Sequence, residues 1–278
     1  MGTILDGAGL AKKIKGELHE KVKKLNKKPG LVVLLLGENP ASKVYVKHKE
    51  MDAEEIGFLS KIERLPVTTT EEELLDCIER YNQNDDYHGI LVQLPLPEHI
   101  NEEKVLLAIR PEKDVDGFHP MNIGRLVSGN PLMTPCTPYG IMELLEEYKI
   151  ELSGKTAVVI GRSNIVGKPI ATLLTAKNAT VTIAHSKTKN LAEVAKSADI
   201  LVVAIGVAEM VDKSFVKKGA VVIDVGMNRN AEGKLVGDVK FDEVAPLASF
   251  ITPVPRGVGP MTRAMLMKQT LEAFERTL

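Results

Sequence analysis

Tyr45 and Lys49 stand four residues apart in ASKVYVKHK at 41–49, a spacing that sets a phenol and an amine on one face of a helix. Such a pair serves as an exposed packing pair or as the start of an acid–base site. Gln93 interrupts an apolar run in GILVQLPLP at 89–97, where it is either a solvated turn residue or an amide presented at a strand end. Asp114 and Asp116 flank Val115 in KDVDGFH at 113–119, as turn residues or as acceptors for a ligand. A different chemistry is suggested by TAVVIGRSNIVGKP at 156–169, where an apolar run stops at Gly161 and a helical pattern resumes near 165–167. Strand, glycine turn and helix in that order turn backbone N–H groups toward a phosphate. Ser163 and Val166 occupy two glycine positions of the dinucleotide fingerprint, so an ordinary strand–helix turn also fits.

The next apolar run, ATVTIA at 179–184, ends at His185-Ser186-Lys187-Thr188. NAD-binding folds place an acid about 20 residues after the glycines to take the ribose 2′-hydroxyl. No acid stands here. Arg162, Ser186 and Lys187 are groups that pair with a 2′-phosphate, so the pattern favours NADP, against the plainer reading of a solvated strand end.

Other chemistries drop out. The six histidines are scattered without metal-ligand spacing, and no G-x-S-x-G elbow is present. Cys77 and Cys136 are too few for a disulfide framework. The formal net charge of −1 gives no bulk attraction to nucleic acid or membrane. No basic-then-apolar leader opens the chain and no apolar run reaches membrane-spanning length, so a cytoplasmic protein is expected.

The elements that must position these residues alternate. Helices are expected over 7–26, 41–56, 71–82 and 102–109, and strands over 31–36, 59–65 and 88–94. Thr70 and Glu73 form a capping box for the third helix. Alternation of this kind implies a parallel sheet. Segments 113–119 and 122–136 read as one long functional loop. Thr137 and Pro138 then open a helix over 139–148. Strands follow at 156–160, 180–184, 200–204, 221–225 and 250–253, with a hairpin arm at 234–239. A glycine-rich turn at 255–260 leads into a closing helix, 262–278.

Taken together, ASKVYVKHK, GILVQLPLP, KDVDGFH, PCTP at 135–138, GRSNIVGKP, HSKT, VIDVGMN at 222–228 and TPVPRGVGPMT at 252–262 resemble the bifunctional methylenetetrahydrofolate dehydrogenase/methenyltetrahydrofolate cyclohydrolase family. The resemblance runs in one order along nearly the whole chain. The chain end is expected to leave no room for the formyltetrahydrofolate synthetase domain of larger relatives. The resemblance implies two three-layer α/β domains with a cleft between them: a folate-binding catalytic domain, 1–136 with 264–278, and a Rossmann-like NADP-binding domain, 137–263. It implies a folate substrate and a homodimer; no metal is expected, from the scattered histidines.

By resemblance, Tyr45, Lys49, Gln93 and Asp116 are catalytic and bind folate together with Val92 and Leu94. Pro255, Arg256, Gly257, Val258 and Gly259 form the turn over the substrate. Gly161, Arg162, Ser163, Ser186 and Met227 hold the cofactor. Hydride transfer from methylenetetrahydrofolate asks the protein for orientation and exclusion of water rather than for a base. Hydrolysis of the methenyl product needs a proton acceptor, and Lys49, tuned by Gln93, is the candidate. A free lysine titrates near about 10.4, so service near neutrality needs a drop of roughly three, about 4 kcal/mol. One departure stands out: Arg256 replaces the first of two family glycines. A positive φ there would give arginine a steric penalty, whereas a negative φ would leave its side chain for substrate carboxylates or solvent.

Overall fold

The computed structural model describes residues 2–278. The chain opens with β1 (Thr3–Ile4) and α1 (Gly7–Val22), then alternates β2 (Gly30–Leu36), α2 (Pro40–Ile56), β3 (Leu59–Leu65), α3 (Glu71–Asn82) and β4 (Gly89–Val92). Helices α4 (Glu102–Ala108), α5 (Pro120–Val127) and α6 (Cys136–Glu147) follow. A second alternation runs through β5 (Thr156–Ile160), α7 (Gly167–Ala176), β6 (Thr180–Ala184), α8 (Leu191–Lys196), β7 (Ile200–Val203) and β8 (Val221–Asp224). The chain ends with β9 (Asn228–Arg229), β10 (Leu235–Val236), α9 (Phe241–Val244), β11 (Phe250–Ile251) and α10 (Val258–Glu275).

Two compact units result: Lys12–Cys136 with Arg263–Leu278, and Thr137–Thr262 with residues 2–11. Residues 2–11 thus differ from the expected span of 1–136. Their strand β1 pairs in parallel with β11, Thr3 beside Phe250 and Ile4 beside Ile251, a partnership two short residues do not announce in sequence.

In the first unit β2 lies between β3 and β4, all parallel. Every residue of β2 is buried, which explains its unbroken apolar run. β3 carries Lys61, Glu63 and Arg64 because it is the half-exposed edge. Helix α3 starts where expected: the Thr70 hydroxyl accepts from Glu73 N at 3.2 Å and the Glu73 carboxylate accepts from Thr70 N at 2.8 Å. Its Leu74, Cys77 and Ile78 pack on Val32, Leu34, Ile90 and Val92. Burying each aliphatic side chain of this size contributes about 1.5–3 kcal/mol.

The second unit is a parallel sheet with strand order β1-β11-β8-β7-β5-β6. From β5 the chain steps to β6 on one side and then returns to β7 on the other, the doubly wound arrangement. Ligands in such sheets bind beyond the carboxyl ends of the strands where the order reverses. Here that place is between β5 and β7.

Several boundaries move, among them three helix starts. The stretch 122–136 is not all loop, since α5 occupies 120–127. His119 Nδ1 accepts from Met121 N at 3.0 Å and Pro120 takes the first turn, while Gly124 within the helix hides the pattern. Helix α6 begins at Cys136, before the expected Thr137. Helix α10 begins at Val258, so Val258 and Gly259 belong to its first turn and not to the preceding loop.

Candidate active site

Lys49 projects from α2, whose Val46, Ala53 and Ile56 are buried, and is itself half-buried. Its Nζ donates to Gln93 Oε1 at 3.0 Å. Gln93 extends the β4 ladder by donating its own N–H to Leu34 O at 2.9 Å. Its Nε2 donates to Leu94 O at 2.8 Å, which fixes the amide with its oxygen toward the lysine. Val92 is buried in β4, and Tyr45 lies one turn before Lys49 with 39% of its surface exposed.

Asp114 and Asp116 have separate tasks. Asp114 is buried and builds the turn, accepting from Phe118 N at 3.2 Å, His119 N at 2.8 Å and Asn122 Nδ2 at 2.8 Å. Burial, the largest influence, pushes its carboxyl up to about 7 against those hydrogen bonds. Gly117 has φ +76, and a Cβ there would collide with the backbone of Thr134 and Pro135. Asp116 faces the Cys136 thiol and the field of Lys49. Gln269 of α10 locks the two loops behind it: Oε1 accepts from Thr134 N at 2.7 Å, and Nε2 donates to Val115 O and Thr134 O, both at 2.9 Å.

Burial lowers the Lys49 pKa below its ordinary value, and Arg263 lowers it further, while attraction to Asp116 and Cys136 works the other way. Burial raises Asp116, opposed by Lys49 and by the Cys136 hydrogen bond. Burial thus shifts each group toward its neutral form, while their mutual attraction opposes both shifts. Arg263 is anchored by Asp52 at 2.9 Å, and Asp52 also holds Lys15 at 2.7 Å.

The expected cofactor residues lie in the other unit. Gly161 closes β5 with φ +126, and a Cβ on it would strike the Ala204 carbonyl oxygen. A Cβ on Gly167 would strike the Gly161 carbonyl oxygen, so both glycines are required for the strand–helix approach. Ser163 Oγ accepts from Val166 N at 3.1 Å and Gly167 N at 3.2 Å, shaping the turn where a fingerprint glycine was absent. The 185–188 turn ties itself together through His185 N to Thr188 Oγ1 at 2.9 Å and Lys187 N to His185 Nδ1 at 3.2 Å. Ser186, Lys187 and Arg162 are exposed. Met227 is 44% exposed.

Pro255–Gly259 also belongs to this unit, not to the one with Lys49, Gln93 and Asp116. Arg256 has φ +84, which settles the alternatives posed by its sequence: the residue carries the left-handed strain, and its guanidinium lies 3.9 Å from Asp6. A Cβ on Gly257 would collide with Pro253 O, so arginine fits only at the first of the two positions.

Sequence reasoning missed Cys136, Arg263 and Gln269, along with the buried acids Asp224 and Asp238. A carboxylate ending the apolar run VVID at 221–224 was the available signal for Asp224; Gln269 sits in the otherwise largely apolar, buried stretch of α10.

A doubly wound sheet with a glycine turn at its switch point, accompanied by an α/β unit holding a half-buried amine, amide and carboxylate, defines a dinucleotide-dependent enzyme. The family model of the tetrahydrofolate dehydrogenase/cyclohydrolase catalytic domain matches residues 5–116, and that of its NAD(P)-binding domain matches 135–278. The bifunctional protein FolD of Enterococcus faecalis is 66% identical, covering 99% of each chain. The crystal structure of the FolD methylenetetrahydrofolate dehydrogenase/cyclohydrolase of Campylobacter jejuni matches with TM-score 0.98 at 48% identity, over 100% of each chain. The Trypanosoma brucei enzyme, complexed with NADP and an inhibitor, matches with TM-score 0.94 at 41% identity, over 99% of this chain and 98% of that one. The chain belongs to the tetrahydrofolate dehydrogenase/cyclohydrolase family.

Proposed function

We propose that the chain oxidises 5,10-methylenetetrahydrofolate to 5,10-methenyltetrahydrofolate with NADP and then hydrolyses that product to 10-formyltetrahydrofolate. The observation that carries this reading is the half-buried Lys49 amine, 3.0 Å from Gln93 Oε1 and within the field of Asp116. It supplies the proton acceptor that hydrolysis requires.

The glycine turn fits NADP: its two sterically required glycines open the backbone, and Arg162, Ser186 and Lys187 offer a 2′-phosphate two cations and a hydroxyl. When bound, NADP supplies the hydride acceptor. The chain's own task in that step is alignment, since the lone pair of a folate nitrogen expels the hydride and no side chain has to take a proton. Asp116 holds the pterin by accepting its amino and ring N–H groups as a pair. Tyr45, Val92 and Leu94 shape the folate pocket, and Pro255, Arg256, Gly257, Val258 and Gly259 form the substrate turn. Met227 and Ser163 complete the cofactor loops.

In the second step water adds to the methenyl carbon, and Lys49, biased toward the free amine by burial, takes the proton. Gln93 holds one amine hydrogen and so orients the lone pair. Collapse of the adduct breaks the carbon–N5 bond; the hydroxyl proton leaves as N5 gains one, and the formyl group remains on N10. The folate role goes to Lys12–Cys136 with Arg263–Leu278 and the cofactor role to Thr137–Thr262 with residues 2–11. We read the chain as a cytoplasmic homodimer. Two unpaired buried cysteines support a reducing compartment, family resemblance supports the dimer, and no helix among the described residues is long and apolar enough to cross a membrane.

The test is steady-state turnover of methylenetetrahydrofolate with NADP and with NAD, followed by reduced-nicotinamide absorbance, alongside the decay of methenyltetrahydrofolate. NADP-dependent turnover and accelerated decay are expected. Absence of both from folded protein rules the reading out.

A further inference from the structure

Two buried acids outside the site described above sit at the level of the glycine turn. In the sheet register Ile160 pairs with Val203, and Val203 pairs with Asp224, so Asp224 ends β8 level with the last residue of β5. The loops leaving β5, β7 and β8 therefore emerge side by side. Asp224 and Asp238 organise the latter two. Asp238, fully buried, accepts Ile205 N at 2.7 Å, Gly206 N at 3.1 Å and Val207 N at 2.9 Å, all in the loop after β7. The same carboxylate accepts from Asn228 Nδ2 at 2.8 Å, where the loop after β8 passes from Met227 into β9. Asp224 in turn accepts Asp238 N at 2.9 Å, Val239 N at 3.0 Å and Gly226 N at 3.0 Å. Gly226 and Gly237 are forced, since a Cβ on either would strike one of the two carboxylates.

A dinucleotide lying across a switch point places its halves on opposite sides of the glycine turn. Ser186, at the end of β6, marks the adenosine side. The loops after β7 and β8 lie on the other side, toward the nicotinamide. We infer that Asp238, seated by Asp224, is a positioning residue that sets the loops 204–207 and 225–228 against the nicotinamide half of NADP. It touches neither cofactor nor substrate; it fixes three consecutive N–H groups and one side-chain amide so that the loops keep one shape. Seven donor hydrogens converge on two carboxylates, more than loop closure alone calls for. The inference rests on the NADP-linked activity proposed above.

The experiment uses the full chain and Asp238→Asn. Asparagine keeps the shape of the side chain but turns an N–H₂ group toward two of the four donors. NADPH affinity, measured by fluorescence titration, is expected to weaken by about tenfold. The inhibition constant of adenosine 2′,5′-bisphosphate, which reports only the adenosine side, is expected to stay unchanged, as is methenyltetrahydrofolate hydrolysis. Equal weakening of NADPH and of the bisphosphate overturns the inference, because general loosening of the unit would move both. Unchanged NADPH affinity overturns it as well. If Asp238→Asn does not fold, Asn228→Ala, which removes one donor from the half-buried end, carries the same pair of readouts with a smaller expected loss. Absence of NADP-dependent turnover from wild-type protein refutes the activity reading instead, while the titrations still decide the role of Asp238.

Discussion

The two units handle polar chemistry in opposite ways. Around Lys49 the groups proposed to work are side chains drawn out of water, and burial is the largest influence on both Lys49 and Asp116. Around Gly161 the groups proposed to work are backbone N–H groups and exposed side chains, and the buried acid Asp238 binds loop N–H groups. The difference follows from the ligands. Moving a proton near neutrality requires a lysine whose charged form is penalised, which solvent would not do. Binding a phosphate requires cations that stay charged and N–H groups that point outward. On this assignment the two units serve proton transfer and phosphate binding by drawing titratable groups out of water in one and exposing cations in the other.

The strongest way to break this comparison is Lys49→Met, which keeps an unbranched chain and removes the amine. Methenyltetrahydrofolate hydrolysis is expected to fall by about 10²–10⁴-fold. Dehydrogenase turnover should fall much less, so methenyltetrahydrofolate accumulates in a coupled assay; parallel loss of both rates in folded protein would make Lys49 a binding residue. Asp116→Ala comes next. Losing a paired, charge-assisted acceptor of about 1.5–3 kcal/mol should weaken folate binding roughly ten- to hundredfold and slow both reactions, measurable by equilibrium binding. On the exposed side, Arg162→Ala is expected to raise KM for NADP by roughly tenfold or less, a screened surface contact, and to leave KM for NAD nearly unaltered. Equal effects on the two cofactors would show that Arg162 does not read the 2′-phosphate.

The smallest effect sharpens the electrostatic half of the comparison. Arg263 disfavours the charged form of Lys49, so Arg263→Met should raise the lysine's pKa. Hydrolysis needs the free amine, and its rate rises with pH as Lys49 loses its proton. The rising limb of the pH–rate profile should therefore move to higher pH, by less than about one unit. A shift to lower pH would contradict the assigned sign. Asp52 keeps Lys15 as a partner in this variant, which limits structural loss.

Much of this architecture was readable from local pattern. The buried run of β2, the capping box of α3 and the strand β5 ending at Gly161 depend on neighbours in sequence, and each lies where its residues imply. Arg162, Ser186 and the missing acid pointed to the cofactor for the same reason. The residues around Lys49 were legible only in part. Tyr45 and Lys49 share a helix, but nothing in spacing alone joins Lys49 to Gln93, 44 residues away, or to Asp116; motif resemblance did that. The parts that escaped are long-range. Asp224 and Asp238 become a pair only when the β9–β10 excursion brings residue 238 back to the end of β8. Gln269 finds its partners 135 and 154 residues earlier. Helix α5 escaped because its cap is a histidine and its interior holds a glycine.

Strand β1 has a further bearing on how the molecule comes into being. Thr3 and Ile4 are made long before their partners Phe250 and Ile251. The Gln269 side chain that locks Thr134 and Val115 arrives later still. Neither unit can close its structure on a nascent chain that stops after its own central strands. Residues 250–269 must emerge before either unit is complete, and contacts this distant along the chain are the slow kind to form.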